Sequence, residues 1–446
     1  MIKLKIVLLG CLLTISSFLM AQQEVGLHFM QGVWQSVNTN PAFVPESNWV
    51  VSLPSIRNNL GITGATYNDI IFEEVDGKSQ IDIGRLIDNL NDQNLIRDDL
   101  SIETIGVAFK VGRLTLSASH AFKYLAYLDY PKTLPQLIWQ GNGQFIGEEV
   151  SIGNDLQFTG YNEFAVGASM KLNKLTLGGR AKYLTGIENV STDDTRNTAS
   201  FYTDPDIYQL TLTSDYLLNS AGSFQYNNYD DFNFNFNFGK ARTDILFTQN
   251  SGFAIDLGAK LEVGSFEFAA SVIDLGAKIN WKEEVRNYNT AGTFEYGGLD
   301  FSDALTGEAV NFDQALDTLE TIFEVTETNT DYSTDLPTKV YLSATMKLAN
   351  MRIGGLFFTE SYRGKTYPAF ALGANANIFK IINIGGTYTI LPELDSYANV
   401  GLNVSAKIGL VQAFATTDDI VAAFRPGESQ TFGARVGINL LFGKEE

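Results

Sequence analysis

Cysteine is all but absent from the chain: Cys11 is the only one, and it lies in an apolar leader at the N-terminus. A chain cut after Ala21 would carry none, which excludes disulfides and cysteine-ligated metals. Histidine is nearly as scarce. His28 and His120 are the only two, so histidine-based triads and metal sites have no material. No G-x-S-x-G occurs, and "GKS" at Gly77–Ser79 has Phe72 where a phosphate-binding loop needs its first glycine. Acidic pairs such as Asp193-Asp194 match no calcium-loop spacing and read as solvated surface. These gaps point to a protein that is not an enzyme and holds no cofactor. Bases are outnumbered, 31 Lys and Arg against 51 Asp and Glu, for a formal charge of −20. Such a chain repels phosphate backbones, so no nucleic-acid partner is expected. Long apolar runs are also missing beyond the leader. The nearest, Ala369 to Gly386, is broken by Lys380 and three Asn, so any membrane crossing must be made by strands.

The leader itself is informative. Lys3 and Lys5 precede an apolar stretch from Ile6 to Met20, and Ala21 stands before the polar Gln22-Gln23-Glu24. That order is a secretory signal peptide over residues 1–21. A true membrane anchor is disfavoured because the stretch is short and broken by Thr14, Ser16 and Ser17, and lipid attachment at Cys11 because the apolar run continues past it.

What the chain has is alternation. Proline is rare (10), while Gly (40), Phe (31) and Tyr (19) are plentiful, a profile of many strands joined by tight turns. From Pro337 to Leu348 the even positions Val340, Leu342, Ala344, Met346 and Leu348 are apolar, and the odd ones mostly polar. Asn399 to Leu410 and Thr431 to Phe442 repeat this, as do Arg113 to Tyr124, Phe164 to Leu172, Leu175 to Tyr183 and Phe253 to Val263. A period of two is a strand with unlike faces. The runs reach about ten residues or more, where soluble strands average about five or six. Tilted strands crossing a bilayer have that length. The expected fold is therefore all-β: a transmembrane antiparallel β-barrel over residues 48–443, with a polar inside.

Connections support the same reading. Short links at Gly112, Asn173, Gly264, Ala349-Asn350 and Phe379-Lys380 alternate with long ones at Tyr67–Leu100, Asp129–Gly160, Glu188–Ser251 and Lys282–Leu336. Outer-membrane barrels keep tight turns in the periplasm and long loops outside, which puts both chain ends in the periplasm. The count is fourteen strands, or sixteen if a hairpin within Glu188–Ser251 joins the wall. Fourteen is the reading adopted. The stretch "FNFNFNFG" (Phe232–Gly239) is then a strand in an extension above the membrane. Helical spacing appears in two long loops, at Ile83, Leu86, Ile87 and Leu90 and again from Phe312 to Phe323.

Several stretches carry a resemblance: "NTNPAFVPESNWVVSLPSI", "ATYNDII", the paired "FAIDLGAKL" and "FAASVIDLGAKINW", and the closing "FGARVGINLLFG". They resemble an uncharacterised, domain-of-unknown-function family of Bacteroidota outer-membrane β-barrels. That family is similar in turn to the long-chain fatty acid transporter-like barrels and, more distantly, to the PorV-type barrels of type IX secretion. The resemblance implies about fourteen strands and an N-terminal segment, residues 22–47, plugging the lumen. Asn40-Pro41-Ala42-Phe43 would mark the exit from plug to first strand. The fatty acid transporters have a lateral exit at a kinked third strand; here Arg113 to Tyr127 has no Pro or Gly after Arg113 to make one. Gly258 and Gly276, in the repeated "IDLGAK", leave room where something such as the plug approaches the wall.

One constellation suggests a ligand site. By parity Lys123, Arg180, Lys182 and Arg435 point inward near mid-strand, with Asp256 and Asp274. Such a lumen suits the carboxylate head of a fatty acid-like compound. Equally, the bases pair with Asp256, Asp274 and Glu24 of the plug, because charges inside a barrel need partners. The functional expectation is a plugged outer-membrane channel for a small hydrophobic or amphipathic compound. The alternative is a non-transport partner in type IX secretion or envelope assembly that acts through its long extracellular loops on another protein.

Overall fold

The computed structural model describes residues 24–73, 79–222, 224–226, 232–234, 246–296, 325–379, 381–392 and 396–443. The leader (1–21) and the second loop helix (312–323) lie outside the described residues.

Fourteen strands close a wall. They are β1 Trp49–Ile62, β2 Gln93–Val111, β3 Leu114–Pro131, β4 Asp155–Leu172, β5 Leu175–Thr203, β6 Ser251–Val263 and β7 Phe266–Trp281. The second half comprises β8 Thr338–Leu348, β9 Met351–Tyr362, β10 Lys365–Ile378, β11 Ile382–Leu391, β12 Ser396–Ile408, β13 Val411–Thr417 and β14 Thr431–Phe442. Each pairs antiparallel with the next, and β1 closes on β14, Trp49 facing Phe442 and Gly61 facing Thr431. Pro54, which cannot donate to a ladder, coincides with the bulge between Ser52 and Ser55 on the β14 side.

The faces are inverted relative to a soluble fold. Leu342, Val400, Leu402, Val404, Val436 and Ile438 are exposed although apolar. Their chain neighbours Ser343, Thr345, Asn403, Ser405, Arg435 and Asn439 are buried. Water would drive the reverse arrangement. An outer surface of this kind has hydrocarbon as its solvent, so the barrel is of the outer-membrane type. Among the described residues no helix is long and apolar enough to cross a membrane.

The wall is uneven. β2 to β5 have 19, 18, 18 and 29 residues, whereas β13 has 7. The tall side continues upward as a sheet outside the barrel. The far half of β5 pairs with Leu210–Ala221, and that strand pairs along its length with Val285–Tyr296. Leu210–Ala221 never enters the wall, which is why the count stays at fourteen. Phe232–Phe234 pairs with Phe224–Tyr226 in a separate two-stranded sheet, so this part of the Phe/Asn repeat is an extension strand; residues 235–239 lie outside the described set. Not every outer link is long: β9 and β10 are joined by Arg363-Gly364 alone. In the first long loop Ile83–Asp88 is helical, capped by Asp82, whose carboxylate accepts from the Arg85 amide at 2.9 Å. It buries Ile87, and Leu90 just beyond its end is buried as well.

Candidate functional site

Residues 24–46 lie inside the barrel, and small residues on the wall make room for them. A Cβ added at Gly178 would overlap Pro41, and one at Gly258 would overlap Asn40. At Gly373 it would come within 2.6 Å of the Phe29 ring, and at Gly106 within 2.7 Å of the Trp34 indole nitrogen. Polar contacts fix the register. The Asn40 amide donates to the carbonyls of Ala259 (3.3 Å) and Ala270 (3.2 Å), and Ser169 and Ser271 donate to the carbonyls of Pro41 and Thr39, each at 2.6 Å. Gln35 reaches Ser52 and Asn439, and the Gly26 amide donates to Asp418 at 2.7 Å. His28 stacks on Tyr341 with ring centres 5.4 Å apart and bonds to Ser343 and Thr39. The Asn40-Pro41-Ala42-Phe43 stretch is therefore an anchor, docked on β5 and β6, and the chain runs on several residues before β1 begins. Gly276 departs from expectation too: nothing lies within 4 Å of its added Cβ, and its need is backbone, with φ +68°. Gly258 does meet the approach foreseen for it. Replacing it with Leu is expected to unseat Asn40 and Pro41 while the barrel still forms; increased leak of the folded variant in planar bilayers checks this.

Above the plug lies a layer of charge, and all six residues singled out by parity are in it. Lys182 Nζ is 2.6 Å from Asp274, 2.9 Å from Asp256 and 3.5 Å from Glu163. Arg180 lies 3.5 Å from Asp256 and 3.7 Å from Glu163, and donates to Asn38 of the plug at 2.8 Å. Lys123 meets Glu163 at 2.5 Å. Arg435 meets Glu24 of the plug at 2.5 Å, and Arg57 approaches the same carboxylate at 3.6 Å. Arg57 also pairs with Asp99, which Lys339 contacts at 3.2 Å. Every described base of the layer thus faces an acid, as burial requires. A bulge delivers one of those acids. Ile255 faces Leu275 and Leu257 faces Val272, so β7 carries extra residues there. Asp274 takes φ +58°, its amide bonds to Asp256 at 2.8 Å, and its carboxylate swings to Lys182.

A cavity of about 50 Å³ remains between this layer and the plug, lined among others by Glu24, Arg57, Lys123, Lys339, Tyr341 and Arg435. At about 10–15 Å³ each it admits a few waters and no elongated ligand. Toward the outside, Leu125, Tyr127, Tyr161, Trp281, Leu336 and Tyr367 pack over the charges, with the hydroxyls of Tyr127 and Tyr367 2.6 Å apart. On the periplasmic side of the plug is a larger cavity of about 350 Å³.

Residues 41–418, spanning β1 to β13, match a family of unknown function (DUF5723). The chain belongs to that family. No curated protein matches it. Solved structures similar to this member of the family include the Ralstonia pickettii toluene transporter TbuX, at 9% identity and TM-score 0.43, covering 91% of this chain and 92% of that one. A Pseudomonas aeruginosa FadL homologue has 9% identity and TM-score 0.41, with 91% and 93% covered. The P. putida toluene transporter TodX has 8% identity and TM-score 0.42, with 92% and 94% covered.

Parity reading of this family member missed Arg57, Asp99, Glu163 and Lys339. β1 hides Arg57 because the Pro54 bulge breaks its alternation. In β2, Asp98 and Asp99 put acid on both faces, and a further shift between Glu103 and Ile105 resets the phase. Glu163 was visible in principle: it shares the inward parity of Tyr161 and Ala165, both buried.

Proposed function

We propose that the protein is an outer-membrane channel, exported by a leader removed before Gln22 and held shut by residues 24–46, that admits a small hydrophobic or amphipathic compound. The reading rests above all on how the plug is held. It meets the wall through side chains and glycine-floored depressions and adds no strand to the wall ladder. It can therefore leave without opening the barrel. In this reading Lys123, Arg180, Lys182, Arg435, Asp256 and Asp274 form the binding layer, and the bases exchange part of their carboxylate company for the head group of an amphipathic anion. The role is one of passage, without catalysis or a cofactor, and membrane lipid surrounds the wall.

Laurate, a simple amphipathic anion, is a suitable probe. A charge-assisted hydrogen bond is worth about 1.5–3 kcal/mol, so Arg180→Met is expected to weaken laurate binding roughly tenfold or more. Unchanged laurate affinity together with a raised leak would assign Arg180 to holding Asn38 and the plug instead. No change in either would remove the charge layer from the function.

A further inference from the structure

The periplasmic mouth of the barrel reverses the charge of the rest of the protein. On a chain of net charge −20, the periplasmic-most lumen-facing positions of five strands are bases, Lys110 on β2, Lys171 on β4, Lys347 on β8, Arg352 on β9 and Lys407 on β12, and on β6 Lys260 stands one lumen-facing position above Glu262. Their parity is set by buried neighbours two residues up the same strands, such as Ala108, Ser169, Thr345 and Ser405. Among the described residues the acids at this level are fewer: Glu46, Glu262 and Glu267. They are also shared. Glu267 serves Lys260, Lys347 and Arg352 at 4.0, 3.7 and 3.8 Å, and Glu262 serves Lys260 and Lys347 at 3.6 and 3.3 Å.

Between this ring and the underside of the plug is the cavity of about 350 Å³, open past Lys347, Arg352 and Lys407. That volume is at the low end of the roughly 300–1,000 Å³ typical of ligand pockets. Half of its polar lining residues are amides: Gln31, Asn350, Asn375, Asn377, Asn383 and Gln412. Asn375 and Gln412 are only 5% and 6% exposed, held by bonds to Asn403 (2.8 Å) and to the Gly32 carbonyl (2.9 Å). A primary amide presents a donor and an acceptor together, the complement of a peptide group.

We infer that this mouth is a docking site for an acidic peptide segment of a periplasmic protein, its carboxylates meeting the basic ring and its backbone the amide-lined cavity. The inference rests on the membrane orientation in the channel reading, but not on conduction. Bilayer phosphates are not the occupant, because the six bases face the lumen and not the lipid. A lone inorganic anion needs one or two bases, and here bases from six strands surround the mouth. A glycan would favour an exposed ring to stack on, whereas Phe29 and Trp34 at the cavity are each 4% exposed. A cationic concavity of this kind also steers anions toward itself in a salt-dependent way.

The test uses the full mature barrel in nanodiscs of zwitterionic phosphatidylcholine, with fluorescently labelled hexaglutamate and hexaglutamine as probes. Hexaglutamate is expected to bind, to weaken as salt is raised, and to exceed hexaglutamine by roughly tenfold or more. The triple reversal Lys347→Glu, Arg352→Glu, Lys407→Glu is expected to abolish binding, and Arg113→Glu in the β2–β3 turn to leave most of it. Where the triple reversal does not fold, Lys347→Gln with Lys407→Gln is expected to weaken binding by a smaller factor with the same loss of salt dependence. Hexaglutamate that fails to bind, or binds the folded reversal variant unchanged, overturns the inference. So does stronger binding of free phosphate, or of peptidoglycan glycan stripped of its stem peptides. Because the readout is binding, a barrel that docks hexaglutamate but never conducts would sink the channel reading and leave this one standing.

Discussion

A barrel lacking residues 24–46 is expected to conduct in planar bilayers where the intact protein is silent or nearly so. The plug fills the lumen between the charge layer and the periplasmic cavity, and its anchors on Gly178, Gly258, Gly373 and Gly106 leave no wide path past it. Fourteen paired strands close the wall without it, so the deletion removes contents and not structure. Selectivity adds a sharper expectation. Glu24 is the only plug carboxylate in the charge layer, and its loss leaves Arg57 and Arg435, paired across β1 and β14, facing the open lumen, with Arg57 still paired to Asp99. The opened pore is therefore expected to prefer anions, despite the protein's net negative charge. Reversal potentials in a salt gradient measure this directly. Conductance unchanged by the deletion would mean that the aromatic layer of Tyr127, Tyr161, Trp281 and Tyr367 is the true barrier. Cation preference would mean that the acids of β2, β4, β6 and β7 dominate the field once Glu24 is gone.

Much of this architecture was legible because the membrane imposes a strict code. An outward side chain must tolerate hydrocarbon, so Val400, Leu402 and Val404 report their orientation through hydrophobicity alone. The inward set follows by subtraction, and that placed Arg180, Lys182, Arg435, Asp256 and Lys123 correctly. Asp274 came out inward for a different reason. Its neighbours Leu275 and Gly276 sit in a bulge, and simple alternation through that stretch does not describe the register. Bulges are local insertions that leave no hydropathy trace, and the same blindness hid Arg57 behind Pro54. The plug resisted reading more deeply. It has little strand or helix beyond Val25–Phe29 and Trp34–Asn38, so no period announces which side chain touches what. Its docking was visible only from the wall's side, as glycines at Gly178 and Gly258 in otherwise regular strands. The pairing of the bases was legible in part: Asp256, Asp274 and Glu24 were expected as their partners, whereas Glu163 was not, since Lys182 and Glu163 meet through strand pairing and not through chain proximity.

The second large effect is expected from Lys182. It is 3% exposed and stands among Asp274, Asp256 and Glu163, themselves 7%, 0% and 4% exposed. Lys182→Met keeps the length and apolar stem of the side chain but leaves three buried carboxylates with Arg180 and Lys123 as their remaining close bases. Breaking a buried ion cluster by removing one partner costs about 3–5 kcal/mol, because the charge left behind has lost its compensation and cannot reach water. The variant is expected to unfold at distinctly lower urea concentration in detergent, and to lose its compact electrophoretic mobility at lower temperature. The cause can be isolated. Adding Asp274→Asn removes one orphaned charge while its amide oxygen still accepts, so the double variant is expected to recover a good part of the loss, a coupling that independent sites would not show. If Lys182→Met unfolds at the same urea concentration as the parent, the layer is not a stabilising cluster. Its acids would then be sharing protons or water, and the lumen would be wetter than its close packing implies.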